Sequence, residues 1–148
     1  MLVKSILENK GFDTFEAAPE DTVLTVLRMF RANRVGFAVV RDDSGVVVGG
    51  VSERDICQAM SMEEGAGRST AIKHVMVAPE RCQMSDSLIR IMALMTQKKT
   101  RHMLAYDDEG FQGVISIGDV VKNRLDEIIH EEEEILRYVE GTGYSFGT

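Results

Sequence analysis

Two short stretches of this chain set a serine three residues before an aspartate, directly after an apolar, strand-like run. They are Gly50-Val51-Ser52-Glu53-Arg54-Asp55-Ile56 and Val114-Ile115-Ser116-Ile117-Gly118-Asp119-Val120. If each serine caps a helix, the residues behind it form a first turn whose amides lack intrahelical acceptors and whose dipole end is positive. Such amides, beside a hydroxyl and the Arg54 guanidinium, suit a phosphate. A carboxylate on the same turn can accept two hydrogen bonds from a vicinal diol such as the 2′ and 3′ hydroxyls of a ribose. Together these groups describe a nucleotide site. The spacing also describes a capping box, the commoner meaning of such a motif taken alone, in which serine and acid satisfy each other's backbone and no ligand is needed. The motif alone leaves both readings open.

The two stretches close the two copies of a repeat. Asp21-Thr22-Val23 answers to Asp86-Ser87-Leu88, and Asp42-Asp43-Ser44-Gly45 to Asp107-Asp108-Glu109-Gly110, at an offset of 65 that falls to 64 by Ser52 and Ser116. A bulge or a shorter turn would absorb the missing residue. Val23, Val26, Leu27 and Phe30, like Leu88, Ile91, Met92 and Met95, recur at the i, i+3, i+4, i+7 spacing of an amphipathic helix. Asp21 or Thr22, and Asp86 or Ser87, stand where its N-cap belongs. Apolar runs over 35–40 and 103–106, acidic glycine-ended turns, and second runs over 46–51 and 111–115 predict a hairpin in each copy. The helix that starts at Ser52 or Ser116 completes a helix-strand-strand-helix unit of an α/β (α+β) fold.

The chain divides into a first repeat with its N-terminal segment (1–62), a linker containing Gly65 and Gly67 (63–71), a second repeat (72–125), a C-terminal helix (126–140) and a glycine-rich flexible tail (141–148). The C-terminal helix carries an apolar stripe through Leu125, Ile128, Ile129, Ile135, Leu136 and Val139, with Glu131 to Glu134 as a solvated face. At 148 residues and 44% hydrophobic content the chain can bury a real core. A net charge of −7 argues against binding a nucleic acid polymer or an anionic membrane, both of which need clustered Lys and Arg. No apolar stretch approaches the roughly 20 residues of a spanning helix, and Met1 to Lys10 contains no leader-like apolar run, so the expected compartment is the cytoplasm. Cys57 and Cys82 are unpaired in spacing and expected as free thiols, and His74 and His130 have no partner at metal-ligand spacing. No nucleophile elbow, phosphate loop or dinucleotide fingerprint occurs, and no catalytic residue can be nominated, so an enzyme is not expected. The nine methionines are scattered and read as core filling.

From Leu7-Glu8-Asn9-Lys10-Gly11 to Asp119-Val120-Val121-Lys122 the chain resembles a tandem pair of cystathionine-β-synthase-type (CBS) domains, a Bateman module. Gly36-Phe37-Ala38-Val39-Val40, Gly50 to Asp55, Lys73-His74-Val75-Met76, Arg101-His102 and Ile115 to Asp119 carry the likeness. The resemblance implies two pseudo-twofold-related repeats with clefts between them for an adenosine-containing ligand: AMP, ADP, ATP, NAD(H) or S-adenosylmethionine. It implies that Asp55 and Asp119 hold ribose hydroxyls, that Ser52 and Ser116 lie near phosphate, and that backbone around Phe37-Ala38 and His102-Met103 lines an adenine slot. It also implies a homodimer formed through helices, and a regulator that signals to a partner protein. The chain departs from the family by carrying Val39 and Leu104 where a proline is common. Arg54 answers to Gly118, and Arg101 to Gly36, which gives an expectation of one arginine per cleft, with Arg101 and His102 facing phosphate in a stronger Asp119 cleft.

Overall fold

The computed structural model describes residues 1–141, and the tail expected beyond Gly141 lies outside the described residues. Along the chain run α1 (Val3–Lys10), β1 (Glu16–Ala17), α2 (Val23–Asn33), β2 (Phe37–Arg41), β3 (Val47–Ser52), α3 (Glu53–Met60), β4 (Arg81–Gln83), α4 (Leu88–Lys98), β5 (His102–Asp107), β6 (Gly110–Ser116) and α5 (Ile117–Gly141). The first helix of each repeat begins where a hydroxyl can take an orphan amide: Thr22 accepts from Thr25 and Ser87 from Arg90, both at 3.2 Å. Asp21 and Asp86, the alternative caps, instead tie the preceding turns by accepting from the Ala18 and Gln83 amides.

Each repeat builds a three-stranded sheet, β1-β2-β3 and β4-β5-β6. The hairpins β2–β3 and β5–β6 are the two expected from the sequence, and each gains a short parallel edge strand, Glu16 beside Val39 and Arg81 beside Leu104. Both hairpins carry a bulge at equivalent places, after Val40 and after Ala105. The missing residue of the second repeat is therefore absorbed by the turn, since Arg41 pairs with Val47 but Tyr106 with Phe111.

Buried side chains gather into two cores. Val23, Val26 and Phe30 of α2 pack on Ala38, Val40 and Val51 of the first sheet, and Leu88, Ile91 and Met95 of α4 pack on Met103, Ala105 and Ile115 of the second. The segments preceding the repeats cross over. Val3, Ile6 and Leu7 of α1, all fully buried, complete the second core, while Ile72 and Val75 complete the first. Helix α5 runs unbroken through residues 125 and 126, where the sequence suggests a boundary; that boundary separates its packed beginning from its exposed continuation.

Candidate functional site

Both Ser-x-x-Asp motifs fold as reciprocal caps. The Ser52 amide donates to Asp55 Oδ2 at 2.9 Å and the Asp55 amide to Ser52 Oγ at 3.1 Å; Ser116 and Asp119 repeat the pair at the same two distances. The Glu53 amide donates to Gly36 O and the Ile117 amide to Arg101 O, which ties each helix start to the entry of the neighbouring strand. Of the first-turn amides expected to face a ligand, among the described residues only the second remains open in each helix, at Arg54 and at Gly118. The capping box and an open acidic edge therefore coexist, because a carboxylate has lone pairs to spare after accepting one amide.

A cavity of about 430 Å³ lies beside the first motif. Ser52, Arg54 and Asp55 form one wall, the segment Val77 to Glu80 another, and Lys98 to His102 of the second repeat a third. The volume falls within the range of about 300–1,000 Å³ usual for small-molecule sites. Four cationic side chains (Arg54, Lys98, Lys99, Arg101) stand against three acids (Glu53, Asp55, Glu80). Glu80 is engaged by Lys98 at 2.9 Å, and among the described residues Asp55 accepts no side-chain hydrogen bond.

A second cavity of about 340 Å³, related to the first by the repeat, is lined by Lys10 to Phe15 without residues 11 and 12, by Arg34 to Phe37, and by His102, Val114 and Ser116. The capping acid behind it is differently engaged: Asp119 is not itself in the lining, and Lys10, which is, sets its Nζ 2.6 Å from Asp119 Oδ2 and 2.9 Å from Val114 O. Burial pushes the Asp119 carboxyl up, but the hydrogen bonds from Lys10 and the Ser116 amide outweigh it and hold the group below the usual carboxylate range.

The partition between the cavities is a ring pair. Phe37 and His102, equivalent residues of the two repeats, stack with centroids 4.5 Å apart and planes 14° from parallel, and both line both cavities. Gly50 makes the room, since a Cβ there would stand 2.7 Å from Phe37 Cζ. Burial, then the nearby Lys10 charge, lowers the His102 pKa against the opposing pull of Asp119 and Asp55, so the imidazole is neutral at pH 7. Arg34 and Lys99, which end α2 and α4 at equivalent places, both hold left-handed backbone, with φ of 53° and 52°. That conformation costs an L side chain roughly 1–2 kcal/mol, and here it sets one cation at the rim of each cavity.

The model for the CBS domain family matches residues 13–62 and again 72–126. The chain belongs to the CBS domain family. Its CBS pair is similar to the CBS-domain protein ATU1752 of Agrobacterium tumefaciens, at 32% identity over 83% of this chain and 92% of that one, with a TM-score of 0.78. It shares its fold with PAE2072 of Pyrobaculum aerophilum, a CBS protein solved in complex with AMP, at 23% identity over 80% and 89% of the two chains and a TM-score of 0.69. It is also similar to the mitochondrial CBS domain-containing protein CBSX3 of Arabidopsis thaliana, 28% identical over 130 residues. The chain spans 63% of that relative's length.

The CBS fold brings Gly36, Phe37, Ser52, Arg54, Asp55, Arg101 and His102 around one cleft and Ser116 into the other. One sequence expectation is corrected. The arginines are not divided between the clefts: Arg54 and Arg101 face each other across the Asp55 cleft, because the strand entry of one repeat lies opposite the helix start of the other. Arg101, expected to face phosphate in the Asp119 cleft, lines the other one, and Asp119 is paired with Lys10. Ala38 and Met103 line neither cleft; strand alternation turns them into the cores, where both are fully buried, while Phe37 and His102 point out. Gly118 and Asp119 also lie outside both linings. Lys10, Arg34, Lys98, Lys99 and Glu80 were not singled out in the sequence. The run Lys98-Lys99-Thr100-Arg101 carried a visible signal of positive charge, and Lys10 carried only a mismatch with Val75, its counterpart in the other copy.

Proposed function

We propose that this CBS pair is a regulatory module that binds an adenine nucleotide in the Asp55 cleft and signals its occupancy to a partner protein without turning the ligand over. One observation carries the reading: a carboxylate with unused lone pairs, a serine hydroxyl, an open helix-start amide and four cations converge on one cavity of about 430 Å³. The diol of a ribose would donate to Asp55, and phosphate would take the Arg54 amide and the cations of Lys99 and Arg101. The rings of Phe37 and His102 offer a flat face to a purine. The cationic lining favours AMP, ADP, ATP or NAD(H) over S-adenosylmethionine, whose sulfonium would add a positive charge to it. AMP bound to the same fold in the Pyrobaculum protein supports the ligand class. The exposed stripe of α5 through Leu125, Ile128, Ile129 and Leu136 is the surface we assign to a homodimer or to the regulated protein.

Calorimetry against AMP, ATP, NADH and S-adenosylmethionine tests the proposal, with saturable binding of at least one phosphate-bearing ligand as the expected result. The complete capping boxes favour a second reading, a dimerisation module whose serines and aspartates serve only their helices. That reading predicts no rise in melting temperature with any of the four ligands at millimolar concentration.

A further inference from the structure

The two clefts derive from one repeat, yet of its two capping acids Asp55 alone, among the described residues, is left open to a further donor. The caps at Asp55 and Asp119 match, so the acids differ by a single neighbour. Lys10 places two of its ammonium donors, one on Asp119 Oδ2 at 2.6 Å and one on Val114 O at 2.9 Å. The side chain is not a loose surface group. It ends α1, which is anchored in the second core by Val3, Ile6 and Leu7, and the chain turns away immediately behind it at Gly11, whose φ of 99° suits glycine. Its counterpart in the other half, Val75, is buried and uncharged and offers Asp55 nothing.

We infer that Lys10 is the residue that makes the clefts unequal: its ammonium occupies the acceptor a ribose would need in the Asp119 cleft, so the chain takes one nucleotide, on Asp55. The inference rests on the nucleotide reading proposed above. A diol entering the Asp119 cleft would have to strip a charge-assisted hydrogen bond from a half-buried carboxylate and strand the ammonium. Entering the Asp55 cleft displaces no protein group from the acid.

The experiment is calorimetric titration with AMP of the unaltered chain, of Lys10→Met, and of the double variant Lys10→Met with Asp119→Ala. The expected result is one equivalent of AMP for the unaltered chain, a second for Lys10→Met, and a return to one for the double variant. Two equivalents on the unaltered chain, or a single equivalent on a folded Lys10→Met, overturns the role of Lys10 and leaves the nucleotide reading standing. Absence of binding to all three folded proteins overturns both. Should Lys10→Met fail to fold, amide shifts of the unaltered chain decide alone: saturating AMP should move the Arg54 amide and leave Gly118 in place, and movement of both refutes the inference.

Discussion

The duplicated acids provide an internal control, because Asp55 and Asp119 cap their helices through matching hydrogen bonds but only Asp55 is assigned a ligand. Replacing either by alanine removes the reciprocal cap, at a cost of about 1 kcal/mol. Asp119→Ala also loses the pairing with Lys10, whose side chains are 20% and 34% exposed, which adds about 0.2–1 kcal/mol after solvent screening. At about 2–4 °C per kcal/mol for a domain of this size, both variants should melt a few degrees early, with Asp119→Ala the lower. Affinity should separate them in the other direction. Losing charged hydrogen bonds to a ribose at Asp55 costs about 1.5–3 kcal/mol, roughly ten- to a hundredfold in Kd, while Asp119→Ala should leave AMP binding unchanged. Asp55→Asn keeps a cap acceptor, so it should recover most of the stability and little of the affinity. Calorimetry with AMP and thermal melts of the three variants measure all of this. An equal loss of affinity at both positions, or an unaltered Kd in Asp55→Ala, would refute the assignment of the ribose to Asp55.

Three further outcomes follow from the same geometry. Lys99→Gly removes a side chain from left-handed backbone and should stabilise the fold by about 0.5–1 kcal/mol, yet weaken AMP binding by removing a cleft cation; a variant that melts lower would contradict the strain described at this site. The folded His102 titrates below its ordinary value of about 6.5, so between the two values the unfolded chain takes up more proton and acidification from pH 7 lowers stability. Melts of His102→Asn should lack this component, and identical pH profiles for the two proteins would show that the ring is not desolvated. Cys57 is exposed, whereas burial and the Asp86 charge push the Cys82 thiol up to about 12, so a thiol reagent at pH 8 should modify one cysteine of the native protein and both in denaturant; rapid labelling of both without denaturant would disprove the packing around Cys82.

The repeat, its hairpins and its caps were legible in the sequence because each rests on neighbours within a few residues: helical spacing from Val23 to Phe30, acidic glycine-ended turns, a serine before an acid. The edge strands β1 and β4 were not, since two or three residues show no period and their pairing partners lie more than 20 positions downstream. The motif acids were found, but their inequality was not. Lys10 meets Asp119 across 109 positions of chain, and spacing within a repeat says nothing about such a contact. The distribution of Arg54 and Arg101 departs from the sequence expectation for a related reason. Aligning the copies tells which residues are equivalent, and only the packing of one repeat on the other tells which of them share a cleft.

The exchange of leading segments bears on how this chain can be dissected. A fragment cut to the limits of the second family match, 72–126, would lack Val3, Ile6 and Leu7, and one cut to 13–62 would lack Ile72 and Val75. Neither fragment can seal its own interior, so the two sequence domains amount to a single folding unit that should melt in one step. Damage to the first ten residues would then be felt most in the half of the molecule that is farthest away along the chain.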